Sequence, residues 1–161
     1  MPLSVLIVDD ELWNREAVRL RLVGNSNFDI IGEADNGLDA LVLIQSMSPD
    51  VVFLDIEMPG LTGLQVAKTL QNEFKGVVVF ITAFSHYAVS AFEVDAFNYL
   101  VKPINDDKFS LLLDKIYGAF NAGKSADFQL KSLTFLEENK YLTEKSKSHN
   151  YLQRISLRDG K

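Results

Sequence analysis

The chain has 161 residues, 47% hydrophobic and 24% charged, with no cysteine and a formal net charge of −6. That length suits one well-buried domain with a tail, the missing thiols exclude disulfides and thiolate metal sites, and no apolar run approaches the roughly 20 residues that cross a bilayer. Residues 1–121 carry 8 Lys and Arg against 17 Asp and Glu while residues 122–161 carry 8 against 5, so the body of the protein is too acidic to bind nucleic-acid phosphates directly.

In chain order, residues 3–8 are apolar but for Ser4 and lack polar alternation, the pattern of a strand covered on both faces, and end at Asp9 and Asp10. No basic region precedes that run, so it does not read as a secretory signal, and a reducing cytoplasm is the expected location. Trp13, Ala17 and Leu20 then recur at spacings of three and four, which predicts a helix. Residues 28–34 read as an edge strand, and Leu38, Leu41 and Val42 mark a second helix. Residues 51–54 are wholly apolar and end at Asp55, after which Leu64, Ala67, Leu70 and Phe74 give a third helix. Residues 77–81 run into Thr82, residues 85–94 are a fourth helical stretch, and residues 97–101 run into Lys102. The clearest amphipathic stripe closes the series: Phe109, Leu112, Leu113, Ile116 and Phe120, with Asn105, Asp106 and Asp107 ahead of it to cap its free N–H groups.

This alternation predicts an α/β fold, a single doubly wound parallel sheet of five βα units over residues 1–121. Asn121, Ala122, Gly123, Lys124 and Ser125 break the helical pattern, so residues 122–150 are expected to be a partly helical linker. Residues 151–161 resemble a strand with no partner left in the chain.

If the apolar runs are neighbouring parallel strands, their C-terminal ends gather Asp9, Asp10, Asp55, Thr82 and Lys102 on one edge of the sheet, where open α/β folds place ligands. Two carboxylates about 4 Å apart repel by about 4 kcal/mol at an effective dielectric near 20, so such a cluster needs a cation. Oxygen-only ligands suit Mg²⁺, and a carboxylate can also act as a nucleophile toward a phosphoryl group when cations and donors neutralise the transferring oxygens. Each residue alone has a plainer explanation. The acidic pair is also what a helix cap looks like, Thr82 is an ordinary strand-end residue, and Lys102 before Pro103 is compatible with an exposed lysine. Their joint placement at strand ends favours a shared site.

These residues resemble the receiver domain of bacterial response regulators over about residues 3–120. Val8, Asp9 and Asp10 are similar to that family's acidic pair. Leu54 through Gly60, with Gly63, are similar to its phosphoacceptor loop, Thr82 and Ala83 to its switch hydroxyl and small neighbour, and the segment 99–103 to its lysine strand. The resemblance implies a flavodoxin-like strand order 2-1-3-4-5 and makes Asp55 the nucleophile that takes a phosphoryl group from the phosphohistidine of a sensor histidine kinase. It implies Mg²⁺ held by Asp9, Asp10, Asp55 and the backbone carbonyl of Glu57, and a cis bond between Lys102 and Pro103. Thr82 and Tyr99 would form a two-state switch acting on the surface of the fourth helix, fifth strand and fifth helix, around Tyr87, Phe97 and Phe109, and favouring a homodimer. Glu57 and Phe84, two residues beyond Asp55 and Thr82, occupy positions that vary in the family and are expected to tune phosphoryl lifetime.

The segment from Ile81 through Ile104 further resembles receivers of the LytTR type (LytR/AlgR-like), which usually precede a C-terminal, mostly β DNA-binding domain. On that resemblance residues 151–161 are the opening strand of a truncated output domain, so DNA binding belongs to a module absent here. Two other function classes stay open. A haloacid-dehalogenase-type phosphatase also pairs an aspartate nucleophile with Mg²⁺, but its pattern has a second Asp where Glu57 stands. A pseudo-receiver would only dimerise or dock partners, and it would not need all the site residues present here.

Overall fold

The computed structural model describes residues 1–122, so the expected strand over 151–161 and, beyond Ala122, the linker lie outside the described residues. Five parallel strands form one sheet in the order β2-β1-β3-β4-β5: β1 (Leu3–Val8), β2 (Phe28–Ala34), β3 (Val51–Leu54), β4 (Val77–Thr82) and β5 (Asn98–Val101). Between and after them lie α1 (Leu12–Leu22), α2 (Gly37–Met47), α3 (Gly63–Leu70), α4 (Ala88–Glu93), entered through a 3-10 turn at Ser85–Tyr87, and α5 (Asp106–Ala122). The (βα)5 architecture and the 2-1-3-4-5 order therefore match the expectation.

The apolar runs are explained by burial on both sides of the sheet. Leu6, Val8, Val52, Leu54, Phe80 and Tyr99 pack into one core layer with α2, α3 and α4, while Val5, Ile7, Val51, Phe53, Val79 and Ile81 pack into a second with α1 and α5. Successive strand residues alternate between the layers, which leaves the central strand β3 wholly apolar; the polar strand residues are few, among them Ser4 in β1, Asp29 and Glu33 in the edge strand β2, Thr82 at the end of β4 and the buried Asn98 in β5.

Local chemistry fixes the helix starts. The Asn36 side chain accepts the Asp39 N–H at α2, and Thr62 and Gln65 form a reciprocal capping box at α3. Asn105 Oδ1 accepts the Lys108 N–H at α5, with Asp106 and Asp107 in the first turn, as the sequence suggested.

Two expected stripes are corrected. Trp13 and Leu20 on α1, and Leu38 and Val42 on α2, are exposed. The buried faces are instead Val18 and Leu22 on α1, and Gly37, Ala40 and Ile44 on α2. At the start of α2 the approach is close: a Cβ at Gly37 would lie 2.6 Å from the Leu61 carbonyl oxygen, so the helix seats there through Gly37 and Ala40, buries Ile44 one turn further on, and leaves Leu38 and Val42 outside. Phe97 and Phe109, expected at a switching surface, are also core residues, and the Phe109 ring packs 5.4 Å from that of Phe53. The α5 residue that does stand exposed on that side is Leu111.

The corrected packing predicts unequal costs on α2. Ile44→Ala should lower unfolding free energy by about 2–4 kcal/mol, whereas Leu38→Gln and Val42→Gln should stay within about 0.5 kcal/mol, measured by urea denaturation.

Candidate functional site

Hydrogen bonds that continue the parallel ladders past the strand ends bring the site together. Asp9 N–H donates to the Ala34 carbonyl at 3.1 Å, Asp55 N–H to the Val8 carbonyl at 2.9 Å, and Lys102 N–H to the Thr82 carbonyl at 2.8 Å. Strand alternation then sorts the side chains: Asp9, Asp55 and Lys102 share the parity of the layer facing α1 and α5, whereas Thr82 and Tyr99 share that of the layer facing α4.

Carboxylate oxygens of Asp9, Asp10 and Asp55 lie within 4.8 Å of one another, with Asp9 and Asp55 buried and Asp10 exposed. Lys102 Nζ donates to Asp9 Oδ2 at 2.8 Å and stands 3.5 Å from Asp55 Oδ2. The ammonium is thus shared unequally, closer to Asp9 than to Asp55. Burial, and then the Asp9 charge, push the Asp55 carboxyl up to about 6, with Lys102 opposing them. Burial followed by Asp9 also raises Asp10. Three converging carboxylates against one cation, with no sulfur or imidazole in the set, form a hard oxygen donor site of the kind that suits Mg²⁺.

Neither acid of the pair caps a free N–H of α1, whose N-cap residue is Glu11 and which has no side-chain cap. Asp9 Oδ1 accepts the Glu11 N–H at 2.9 Å just ahead of α1, while its Oδ2 faces Lys102. Thr82 is fully buried, and its Oγ1 makes no hydrogen bond among the described residues, an arrangement that ordinarily costs about 1–3 kcal/mol. Tyr99 is buried, its hydroxyl donates to the Phe84 backbone carbonyl, and burial raises its phenol above the ordinary range. Glu57 is exposed two residues past Asp55, and its carboxylate accepts a hydrogen bond from Tyr87 Oη at 2.7 Å.

The loop carrying Asp55 depends on two glycines in different ways. Gly60 has φ +78°, a left-handed conformation that favours glycine, and a Cβ at Gly63 would fall 2.1 Å from the Asp55 carbonyl oxygen. On the far side, the peptide bond between Lys102 and Pro103 is cis. Arg21 Nε donates to Asp106 Oδ1 at 2.8 Å and its Nη2 to the Ile104 carbonyl at 3.3 Å, which ties α1 to the segment after Lys102.

The sequence reading missed Arg21, Asn14, Arg15 and the Tyr87 contact with Glu57. Asn14 Nδ2 reaches Asp9 Oδ1 at 3.4 Å and Arg15 Nη1 donates to the Asp9 carbonyl at 2.8 Å. One signal was available, a cation in the N-terminal turns of α1 where the helix dipole disfavours it.

The chain belongs to the response regulator receiver domain family, whose model matches residues 5–114. It is 42% identical over 114 residues to the transcriptional regulatory protein BtsR of Salmonella typhi, covering 71% of this chain and 48% of that protein. It is 37% identical over 119 residues to the sensory transduction protein LytT of Oceanobacillus iheyensis, covering 72% and 48%. Among solved structures it is similar to the response regulatory domain of mrkE from Klebsiella pneumoniae, with a TM-score of 0.71 and 35% identity over 75% of this chain and all of that one. The chain thus spans about half the length of the curated relatives it matches, and the expected kinship with LytTR-type regulators holds through LytT and BtsR. The domain is a receiver domain of a two-component response regulator. No helix among the described residues is long and apolar enough to cross a membrane.

The raised Asp55 carboxyl makes a pH prediction with a defined sign. Its folded value, about 6, lies above the ordinary 3.8, so the folded state binds the proton more tightly and loses stability as pH rises through that interval. Asp55→Asn should therefore melt higher than the parent at pH 8 in EDTA, by roughly 4 °C per kcal/mol relieved, and the gap should narrow as pH falls below about 6 and close only near the ordinary value of 3.8. Lys102 keeps Asp9 as its partner in the variant, so the gain is not offset by a stranded ammonium.

Proposed function

We propose that this domain is the phosphoacceptor module of its response regulator: Asp55 takes a phosphoryl group from the phosphohistidine of a sensor histidine kinase. The observation that carries the reading is the convergence of Asp9, Asp10 and Asp55 within 4.8 Å, with Lys102 in contact. In the transfer an Asp55 carboxylate oxygen bonds to phosphorus as the phosphorus–nitrogen bond breaks, and the electron pair leaves with the kinase imidazole. Asp9, Asp10, Asp55 and the backbone carbonyl of Glu57 would hold Mg²⁺, which supplies neutralising charge for the transferring oxygens.

The remaining residues respond to the new charge. A phosphoryl group at Asp55 brings about two negative charges and three acceptor oxygens, so it competes with Asp9 for the Lys102 ammonium, 3.5 Å from Asp55. The unpartnered Thr82 hydroxyl gains by donating to a phosphoryl oxygen, which removes the cost of a buried, unpaired group. Thr82 lies on the α4 side with Tyr99, and Tyr99 holds the Phe84 carbonyl, so movement of Thr82 is felt by the loop that leads into α4. That two-state element would switch the face of α4, β5 and α5, where Leu111 is exposed, and favour a homodimer. The relatives are about twice as long and BtsR is a transcriptional regulatory protein, which supports a cytoplasmic regulator whose DNA contacts belong to a C-terminal LytTR-type module. We read residues 1–121 as the receiver, 122–150 as a linker and 151–161 as the start of that module. On this reading the domain is a switch that catalyses only its own phosphorylation and dephosphorylation.

Incubation with acetyl phosphate and Mg²⁺ should add one phosphoryl group by intact mass, and Asp55→Asn should add none. An unmodified parent, or full labelling of the variant, overturns the assignment.

A further inference from the structure

The contact between Tyr87 and Glu57 joins two loops 30 residues apart, the one after β3 that carries Asp55 and the turn that leads into α4. Its donor is a phenol and its acceptor an ionisable carboxylate, the stronger class of hydrogen bond, at 2.7 Å. Neighbouring rings support the donor: His86 lies 4.2 Å from the Tyr87 ring at 37°, and Phe84 meets it edge-on at 6.3 Å and 86°. The same segment is tied from inside, because Tyr99 donates to the Phe84 carbonyl. Glu57 would otherwise be an exposed, rotatable carboxylate only two residues from Asp55.

That carboxylate is of the right kind to harm a phosphorylated Asp55. Hydrolysis forms a bond from a water oxygen to phosphorus and breaks the bond from phosphorus to the Asp55 oxygen; the carboxylate is regenerated and inorganic phosphate released, with the water proton passing to a base or to solvent. A mobile carboxylate beside the site can orient that water and take its proton. Pinned by Tyr87, it loses both the freedom to swing inward and one of its acceptor positions.

We propose that Tyr87 is a positioning residue that holds Glu57 at the rim of the pocket and so slows loss of the phosphoryl group from Asp55. The inference rests on Asp55 being the phosphoacceptor and extends that reading to the lifetime of the signal. Its range is the β3–α3 and β4–α4 loops, not the metal-binding carboxylates.

The test follows decay of Asp55 phosphate by intact mass after acetyl phosphate is removed, in the parent, Tyr87→Phe, Glu57→Gln and the double variant. Tyr87→Phe keeps the ring and its packing while deleting only the donor, and equal melting temperatures of parent and variant would check that the fold is kept. Decay in Tyr87→Phe should be faster by about 3- to 10-fold, a coupling typical of residues in direct contact. In the Glu57→Gln background, where the carboxylate that Tyr87 holds is gone, adding Tyr87→Phe should change the rate by a factor near one. Unchanged decay in Tyr87→Phe, or equal acceleration in both backgrounds, overturns the proposal while leaving Asp55 as phosphoacceptor. A parent that takes no label overturns the phosphoacceptor reading and this inference with it.

Discussion

The unequal sharing of one ammonium between two buried carboxylates governs the site. Lys102 touches Asp9 at 2.8 Å and stands 3.5 Å from Asp55, and burial, followed by the Asp9 charge, pushes the Asp55 carboxyl up to about 6 against the opposing effect of Lys102. Like charges about 4 Å apart cost about 4 kcal/mol at an effective dielectric near 20, a sizeable fraction of the stability of a domain of this length. The fold accepts that cost because the strands hold the charges in place. The backbone bonds from Asp9, Asp55 and Lys102 to the Ala34, Val8 and Thr82 carbonyls extend the ladders by one residue, which leaves the side chains no room to disperse.

The same parity that gathers the charges separates charge from response. Asp9, Asp55 and Lys102 project toward α1 and α5, and Thr82 and Tyr99 toward α4. On the proposed reading, an event at Asp55 would reach the α4 side through Thr82, at the end of β4 and next to the segment that leads into α4. The 84–87 segment is held by Tyr99 from within and by Glu57 from the rim, so it is a short element with defined contacts on both sides.

The sheet was legible because its strands are buried on both faces, and burial of that kind writes unbroken apolar runs into a sequence. The ends of four of the runs marked the residues of the candidate site, Asp9, Asp55, Thr82 and Lys102, since polar side chains are most readily accommodated where the covering helices stop. Helix orientation was less legible. The Trp13, Ala17, Leu20 and the Leu38, Leu41, Val42 spacings were genuine periodicities, but Trp13, Leu20, Leu38 and Val42 are exposed; on α2 the start of the helix lies too close to Leu61 for a side chain at Gly37, and Ala40 and Ile44 are the residues buried with it. Hydrophobic spacing records which residues share a stripe, not whether the stripe meets the sheet at a distance that admits large side chains. Phe97 and Phe109 were misjudged in the opposite direction, as surface residues, since an aromatic on a helix or at a strand edge carries no sign of whether a ring such as Phe53 waits for it.

The sequence by itself determined the five βα units, the residues that end the strands, and the chemistry those residues share, since each follows from local pattern and from the types of side chain at fixed positions. Only the tertiary structure decided which oxygen Lys102 prefers, that the Thr82 hydroxyl is buried without a partner among the described residues, and that Tyr87 closes on Glu57. Those facts depend on distances of a few tenths of an ångström between segments 30 to 93 residues apart. Such distances are set by how the helices seat on the twisted sheet and are not encoded in any single stretch of the chain.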